Sequence, residues 1–213
     1  VLSTDRTLLA DPGAPEARHY ERLEPSLSGL VCLWGVNRRF PDLQVHNIFF
    51  SADYPAEFEA IFRRLDMPAE PTIYLNITSK VTPADAPPGG ENWFILLNAP
   101  RDAGQDWPAL AARARKSVMA RLCRSLGCDP ASFIIAETTI TPEDIARDTG
   151  STFGSLYGIA SHGPLAAFLR HPNRSRRIRG LYFAGGSVHP GGGLPLALLS
   201  GTLAADQAEK HET

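Results

Sequence analysis

The residues of this 213-residue chain most able to do chemistry lie near its end, in RGLYFAGGSVHPGGGLPLALLSG, residues 179–201. Leu181 to Ala184 read as a short buried strand, and five glycines then fall between Gly185 and Gly193. An Ala/Leu-rich run after Pro195 reads as a helix, and proline suits a first helical turn because its missing N–H is no loss there. A strand, a glycine-rich loop and a helix N-terminus bring bare backbone and unpaired N–H groups to one place, where the backbone can approach a ligand closely and the helix end offers donors to an anion. The loop is not the dinucleotide fingerprint Gly-x-Gly-x-x-Gly. Gly191 and Gly193 fit its first two places, but Leu196 stands in the third. Local physics leaves two readings open, ligand contact or a tight turn. Ala197, Gly201, Ala204, Ala205 and Ala208 fall on roughly one face of the following helix, where another backbone could pack closely.

Other chemistries lack support. The six histidines show no His-Glu-x-x-His and no ligand spacing with cysteine, so no metal is expected. No Gly-x-Ser-x-Gly elbow, Walker loop or clear acid/base pair occurs. Cys32, Cys123 and Cys128 are odd in number and form no Cys-x-x-Cys, which favours buried thiols in a reducing compartment over a disulfide framework. A net charge of −2, with 43% hydrophobic and 21% charged residues, is ordinary for a globular protein and gives no reason to expect nucleic acid. No signal peptide opens the chain and no apolar run approaches the ~18 residues that span a bilayer. The chain starts at Val1 without Met and reads as the middle of a domain.

The elements that must position the loop alternate strand and helix, which argues for mixed α/β structure. Val1 to Thr4 read as a strand end, and Leu8 to Arg22 as loop with a helical piece. Strands are expected over Leu27–Val36, Val45–Phe50, Thr72–Thr78, Trp93–Leu97 and Phe133–Ile140, the third and fourth as an antiparallel pair. Ser51 or Asp53 caps a helix with Pro55 in its first turn, and Phe58, Ile61, Phe62 and Leu65 form its packing stripe. A longer helix follows Asp106, with Leu110, Ala114, Val118, Leu122 and Leu126 inward and Gly127 as its cap. Its basic residues, Arg113, Arg115, Lys116, Arg121 and Arg124, read as a solvated face. Thr141-Pro142-Glu143-Asp144 opens a short helix that ends near Gly150. Residues Gly154 to Pro164 read as irregular.

LYFAGGSVHPGGGLPLALLSG closely resembles the C-terminal flavin-binding motif of the bacterial carotenoid (phytoene) desaturases, in the wider flavin amine-oxidase-like superfamily. It matches every fixed place of the pattern L-Y-x-x-G-x-x-x-H-P-G-x-G-x-P. HNIFFSADYPAEFEAIF, PTIYLNITSKVTPADAPPG and SLYGIASHGPLAAFLRHPNRS resemble segments of the same family. The resemblance implies the C-terminal part of a two-part, FAD-binding Rossmann-type α/β (α+β) fold with an inserted mixed or antiparallel-sheet substrate domain. Residues 1–25 and 141–213 would belong to the FAD-binding domain and 26–140 to the substrate domain. An N-terminal glycine fingerprint would lie upstream. The implied activity is FAD-dependent desaturation of a carotenoid precursor, with the chain alone expected to be inactive. Gly185, Gly186, Ser187, His189, Gly192, Gly193, Leu194 and Pro195 would face the flavin; His189 is alternatively a turn residue bonded to local backbone. No catalytic residue is assigned. A polyene substrate implies a cytoplasmic protein that meets the membrane surface peripherally. Residues 170–179, with five arginines and no acid, would either touch anionic headgroups or form a solvated loop. The alternatives are another flavin oxidoreductase, such as a retinol saturase-like or amine-oxidising enzyme, and a non-catalytic carrier of apolar ligands.

Overall fold

The computed structural model describes residues 24–160, 170–176 and 178–212. The expectations for Val1–Thr4, for Leu8–Arg22 and for the last part of the glycine-rich 154–164 segment lie outside them. The chain divides into two units, Leu27–Asp148 and the described parts of Val1–Ser26 and Thr149–Thr213.

The first unit is built on one five-stranded sheet in the order β2-β3-β4-β1-β5, with every neighbouring pair antiparallel. The strands are β1 (Ser28–Val36), β2 (His46–Phe49), β3 (Ile73–Asn76), β4 (Glu91–Ala99) and β5 (Ile134–Ile140). All five fall where the sequence places strands, and the antiparallel pairing of β3 with β4 is as expected. The strand Trp93–Leu97 extends to nine residues because ENWFILLNA keeps strict alternation of buried and half-buried positions. Its partner across the sheet centre, β1, is buried on nearly every residue.

One face of this sheet carries the core. Cys32, Trp34, Ile73, Leu75, Trp93, Ile95 and Leu97 project from it towards Ala114, Val118 and Leu122 of α2 (Trp107–Leu126). The Asp106 carboxylate accepts from Ala109 N at 3.0 Å to cap that helix, and Gly127, at φ 68°, ends it. The four-residue repeat on α2 therefore points inward as expected. Buried Glu91 accepts from Phe40 N, Lys80 Nζ and Trp93 Nε1, which ties two loops to the sheet end.

Two elements depart from expectation. α1 (Tyr54–Glu59), capped by Asp53 on Ala56 N at 2.9 Å, passes into a π-helical turn over Ala60–Arg64. The wider turn rotates the face, so the fully buried line is Glu57, Ala60 and Ile61. Phe58 and Phe62 of the expected packing stripe are only half-buried and form a ladder with Tyr54. The expected strand at Leu181–Ala184 shrinks to a single antiparallel bridge between Tyr182 and Arg174, because too few partners lie alongside to build a ladder. Two further helices follow: α3 (Pro142–Thr149) opens at Thr141 as expected, and α4 (Leu194–Glu212) follows the glycine-rich loop.

Candidate functional site

The glycine-rich loop is held in place by an extended segment, residues 171–175, that the sequence presents as part of a basic loop. His171, Asn173 and Ser175 are buried, while Pro172 and Arg176 point out and Arg174 lies between the two. Backbone bonds join Asn173 O to Phe183 N at 2.8 Å, Leu181 O to Ser175 N at 2.9 Å and His171 O to His189 N at 2.9 Å. The solvated-loop and headgroup readings of this stretch therefore apply to its outward arginines, and the stretch itself is a structural strip.

Asn173 is the hub. Its Nδ2 lies within hydrogen-bonding distance of Phe183 O, His189 O and Ser200 Oγ, at 3.2, 3.0 and 2.9 Å. Ser200, fully buried on α4, accepts from Gly185 N at 3.2 Å through the same Oγ. Strip, loop and helix are thus locked through two small polar side chains. Sequence reading missed both. An asparagine among arginines looks solvated, and a serine on a helix face of small residues looks like packing.

Arg170 reaches across the loop and donates to Tyr157 O at 3.3 Å and Gly186 O at 3.4 Å. A Cβ at Gly192 would stand 2.7 Å from the Tyr157 ring, so that glycine is required by packing within the protein. Gly193 differs. It has φ +95° and open space where a side chain would be. Gly193, Leu194 and Pro195 are all exposed. Among the described residues the backbone N–H groups of Leu194 and Leu196 have no acceptor, while Ala197 N already returns to Gly193 O at 2.9 Å. From Arg170 to Ala205 the chain contains no acidic residue. The exposed end of the loop therefore offers donors, a nearby cation and a bare backbone, a donor set suited to an electron-rich or anionic planar group.

The expected site residues are brought together only in part. Gly193, Leu194 and Pro195 form the exposed lip at the helix start, and Gly185, Gly186 and Ser187 lie half-buried behind it. His189 is anchored through its backbone N–H and carbonyl to the strip, with its side chain exposed.

A second surface lies in the other unit, on the sheet face opposite the core. A concavity of about 500 Å³ there is lined by Leu33, Gly35, Phe94 and Ala136, with Asn76 and Asn92 at one side. Ile48, Tyr74 and Leu96 extend the same face, as their register across β2, β3 and β4 requires. Ile48 is 54% exposed, which is much for a large aliphatic residue in a sheet.

No protein-family model matches the chain. It is 48% identical over 206 residues to a 1-hydroxycarotenoid 3,4-desaturase of Flavobacterium sp. (strain P99-3), which covers 97% of this chain and 42% of that protein. It is 39% identical over 214 residues to a 4,4'-diapolycopene oxygenase of Methylomonas sp, and 34% identical over 213 residues to a 4,4'-diaponeurosporene oxygenase of Staphylococcus haemolyticus (strain JCSC1435). In each case the chain spans 42% of the relative's length. Over the region it spans, the chain belongs to the carotenoid desaturases and oxygenases.

Proposed function

We propose that the chain forms part of an FAD-dependent oxidoreductase that desaturates a carotenoid precursor. The observation that supports this most is the 48% identity to a carotenoid desaturase along nearly the whole chain. The geometry of the glycine loop suits a flavin: Gly193 leaves open space beside the donors of Leu194 and Leu196, and residues 170–205, which form the loop and its supports, contain no carboxylate side chain. Gly185, Gly186, Ser187, His189 and Gly192 through Pro195 would form the flavin side. When bound, FAD supplies a hydride acceptor, so that loss of a hydride and a proton across a saturated C–C bond lengthens the conjugated system. Within this chain, Asn173 and Ser200 hold the loop rigid, and Arg170 sets a fixed positive charge against it.

The sheet face bearing Leu33, Phe94, Leu96 and the exposed Ile48 offers apolar surface that suits a long polyene. Such a substrate resides in a bilayer. No helix among the described residues is long and apolar enough to cross one, which is compatible with a peripheral approach from the cytoplasmic side.

The oxygenase names of two relatives favour a second reading, in which oxygen is added to a polyene. One experiment separates the two. The gene is expressed in cells that accumulate a hydroxylated acyclic carotenoid, and the pigments are analysed by absorbance and mass. Desaturation gives a red shift with loss of two hydrogens, whereas oxygenation adds oxygen. Unchanged pigment from flavin-loaded protein overturns both.

A further inference from the structure

We propose that the groove between α2 and the segments flanking α1 binds a phosphate-type oxyanion. The structure sorts the cations of α2 into two groups. Arg113 pairs with Asp66, and Arg115 pairs with Glu137 at 2.6 Å. Lys116 and Arg121 have no carboxylate partner among the described residues; Arg121 donates only to the Phe50 carbonyl, at 3.3 Å. These two unpaired cations line the same cavity, of about 260 Å³, together with Arg124 and Ser117. One acid, Glu70, shares that wall and reaches Arg124 only at 4.0 Å. Three cations against one carboxylate leave the cavity with a surplus of two positive charges.

A solvated basic face gives no reason for the unpaired cations to converge. Arg121 and Arg124 stand three apart on the helix, a spacing at which like charges repel, and an oxyanion seated against both removes that cost. Arg121 and Arg124 present planar forks that match a tetrahedral oxyanion, and the Ser117 hydroxyl adds a neutral donor. The volume holds several waters at ~30 Å³ each, room for a phosphate and its first substituent. Phe50, 63% exposed, stands at the rim and gives the ligand's substituent an apolar wall. The shared chemistry is a phosphate monoester dianion, free in solution or displayed as a lipid headgroup. The inference rests on charge and shape within this unit and does not depend on what the enzyme oxidises.

The full-length flavoprotein is titrated at low ionic strength, where exposed charges are least screened, with sodium phosphate by calorimetry. In parallel it is sedimented with phosphatidylcholine vesicles, with and without phosphatidic acid. The pocket variant is Lys116→Ser with Arg121→Ser. The control, Arg64→Ser with Arg147→Ser, removes the same charge from exposed, ion-paired positions elsewhere in the unit. The pocket variant is expected to bind about thirtyfold more weakly, about fivefold per cation, while the control binds nearly as the parent does. Binding of sodium phosphate with this pattern identifies a soluble ligand. Binding only of phosphatidic acid vesicles with this pattern identifies a headgroup. Equal losses in both variants, or no binding of either probe by the folded parent, overturns the proposal. Lys116→Gln alone, at an exposed position, repeats the test where the double variant fails to fold.

Discussion

Asn173 has two N–H protons and four acceptors within 3.3 Å, two of them on Ser200. Replacing it with alanine strands buried carbonyls of Phe183 and His189, which costs about 1–3 kcal/mol. Asn173→Ala should therefore lower the urea midpoint and loosen the loop, and the full flavoprotein should lose flavin at lower denaturant than its parent. A Ser200→Ala protein should show the same direction with a smaller loss, because Gly185 N loses its acceptor while Asn173 Nδ2 keeps the carbonyls of Phe183 and His189. A different residue-scale test concerns the thiols. Burial pushes Cys32 up to about 11, so its thiolate is scarce at neutral pH, whereas Cys123 is exposed. Native protein treated with a thiol-specific aromatic disulfide at pH 8 should be labelled at Cys123, with Cys32 reacting only on unfolding. Rapid labelling of Cys32 in folded protein would contradict its burial. At this scale the sequence showed the glycines and His189 plainly, since composition marks them. It could not show Asn173 or Ser200, whose importance depends on a 27-residue separation closing to 2.9 Å.

At the scale of elements, the short helix α3 shows how much a local motif can reveal. Thr141 Oγ1 accepts from Asp144 N at 3.2 Å, and the Asp144 carboxylate takes both Thr141 N–H and Oγ1–H, at 2.9 and 2.7 Å. The cap, the proline and the first-turn acids were legible in the local sequence Thr-Pro-Glu-Asp; that Asp144 returns the bond to Thr141 emerges from the structure. The backbone and hydroxyl of Thr141, followed by Arg147, hold the Asp144 carboxyl below its ordinary value. A depressed carboxyl pKa contributes stability that is present above the unfolded pKa and is lost as pH falls through the folded one. Stability should therefore drop as pH falls below about 4, the ordinary aspartate range. Asp144→Asn should flatten that part of the profile and cost about 1 kcal/mol at pH 7, the usual worth of a cap. Urea melts at pH 3 to 7 test it, and an unchanged acid slope would mean that the box contributes nothing. The strands were equally legible, because alternation in β4 is local. The π-helical turn after α1 was not. Its cause includes buried Glu57, which accepts from Thr72 N, Thr72 Oγ1 and Asn98 Nδ2 across the sheet. A glutamate in an amphipathic run gives no sign that it will point inward.

For the molecule as a whole, the exposed start of α4 decides what the 213 residues can do by themselves. Leu194, Leu196, Leu198 and Leu199 are 76, 41, 67 and 46% exposed, while Ser200 and Ala204 on the same helix are buried. Four exposed leucines within six residues form an apolar patch of the kind that marks a contact surface or favours association. The same stretch holds the donors assigned to the flavin side. An FAD molecule also has a pyrophosphate and an adenosine, which in two-part sites rest on a first βα turn with its glycine fingerprint and acidic residue. No complete Gly-x-Gly-x-x-Gly occurs in this chain, which spans only 42% of its relatives' length. Contacts to one end of a dinucleotide leave its other end to solvent, so most of its binding free energy is not collected. The 213-residue chain expressed alone should therefore sediment as self-associated material and emerge from gel filtration without yellow colour. Leu194→Gln with Leu198→Gln should reduce the association without restoring flavin, because the patch and the missing nucleotide contacts are separate causes. A monomeric yellow protein retaining stoichiometric FAD would show that the glycine loop and α4 hold the cofactor unaided.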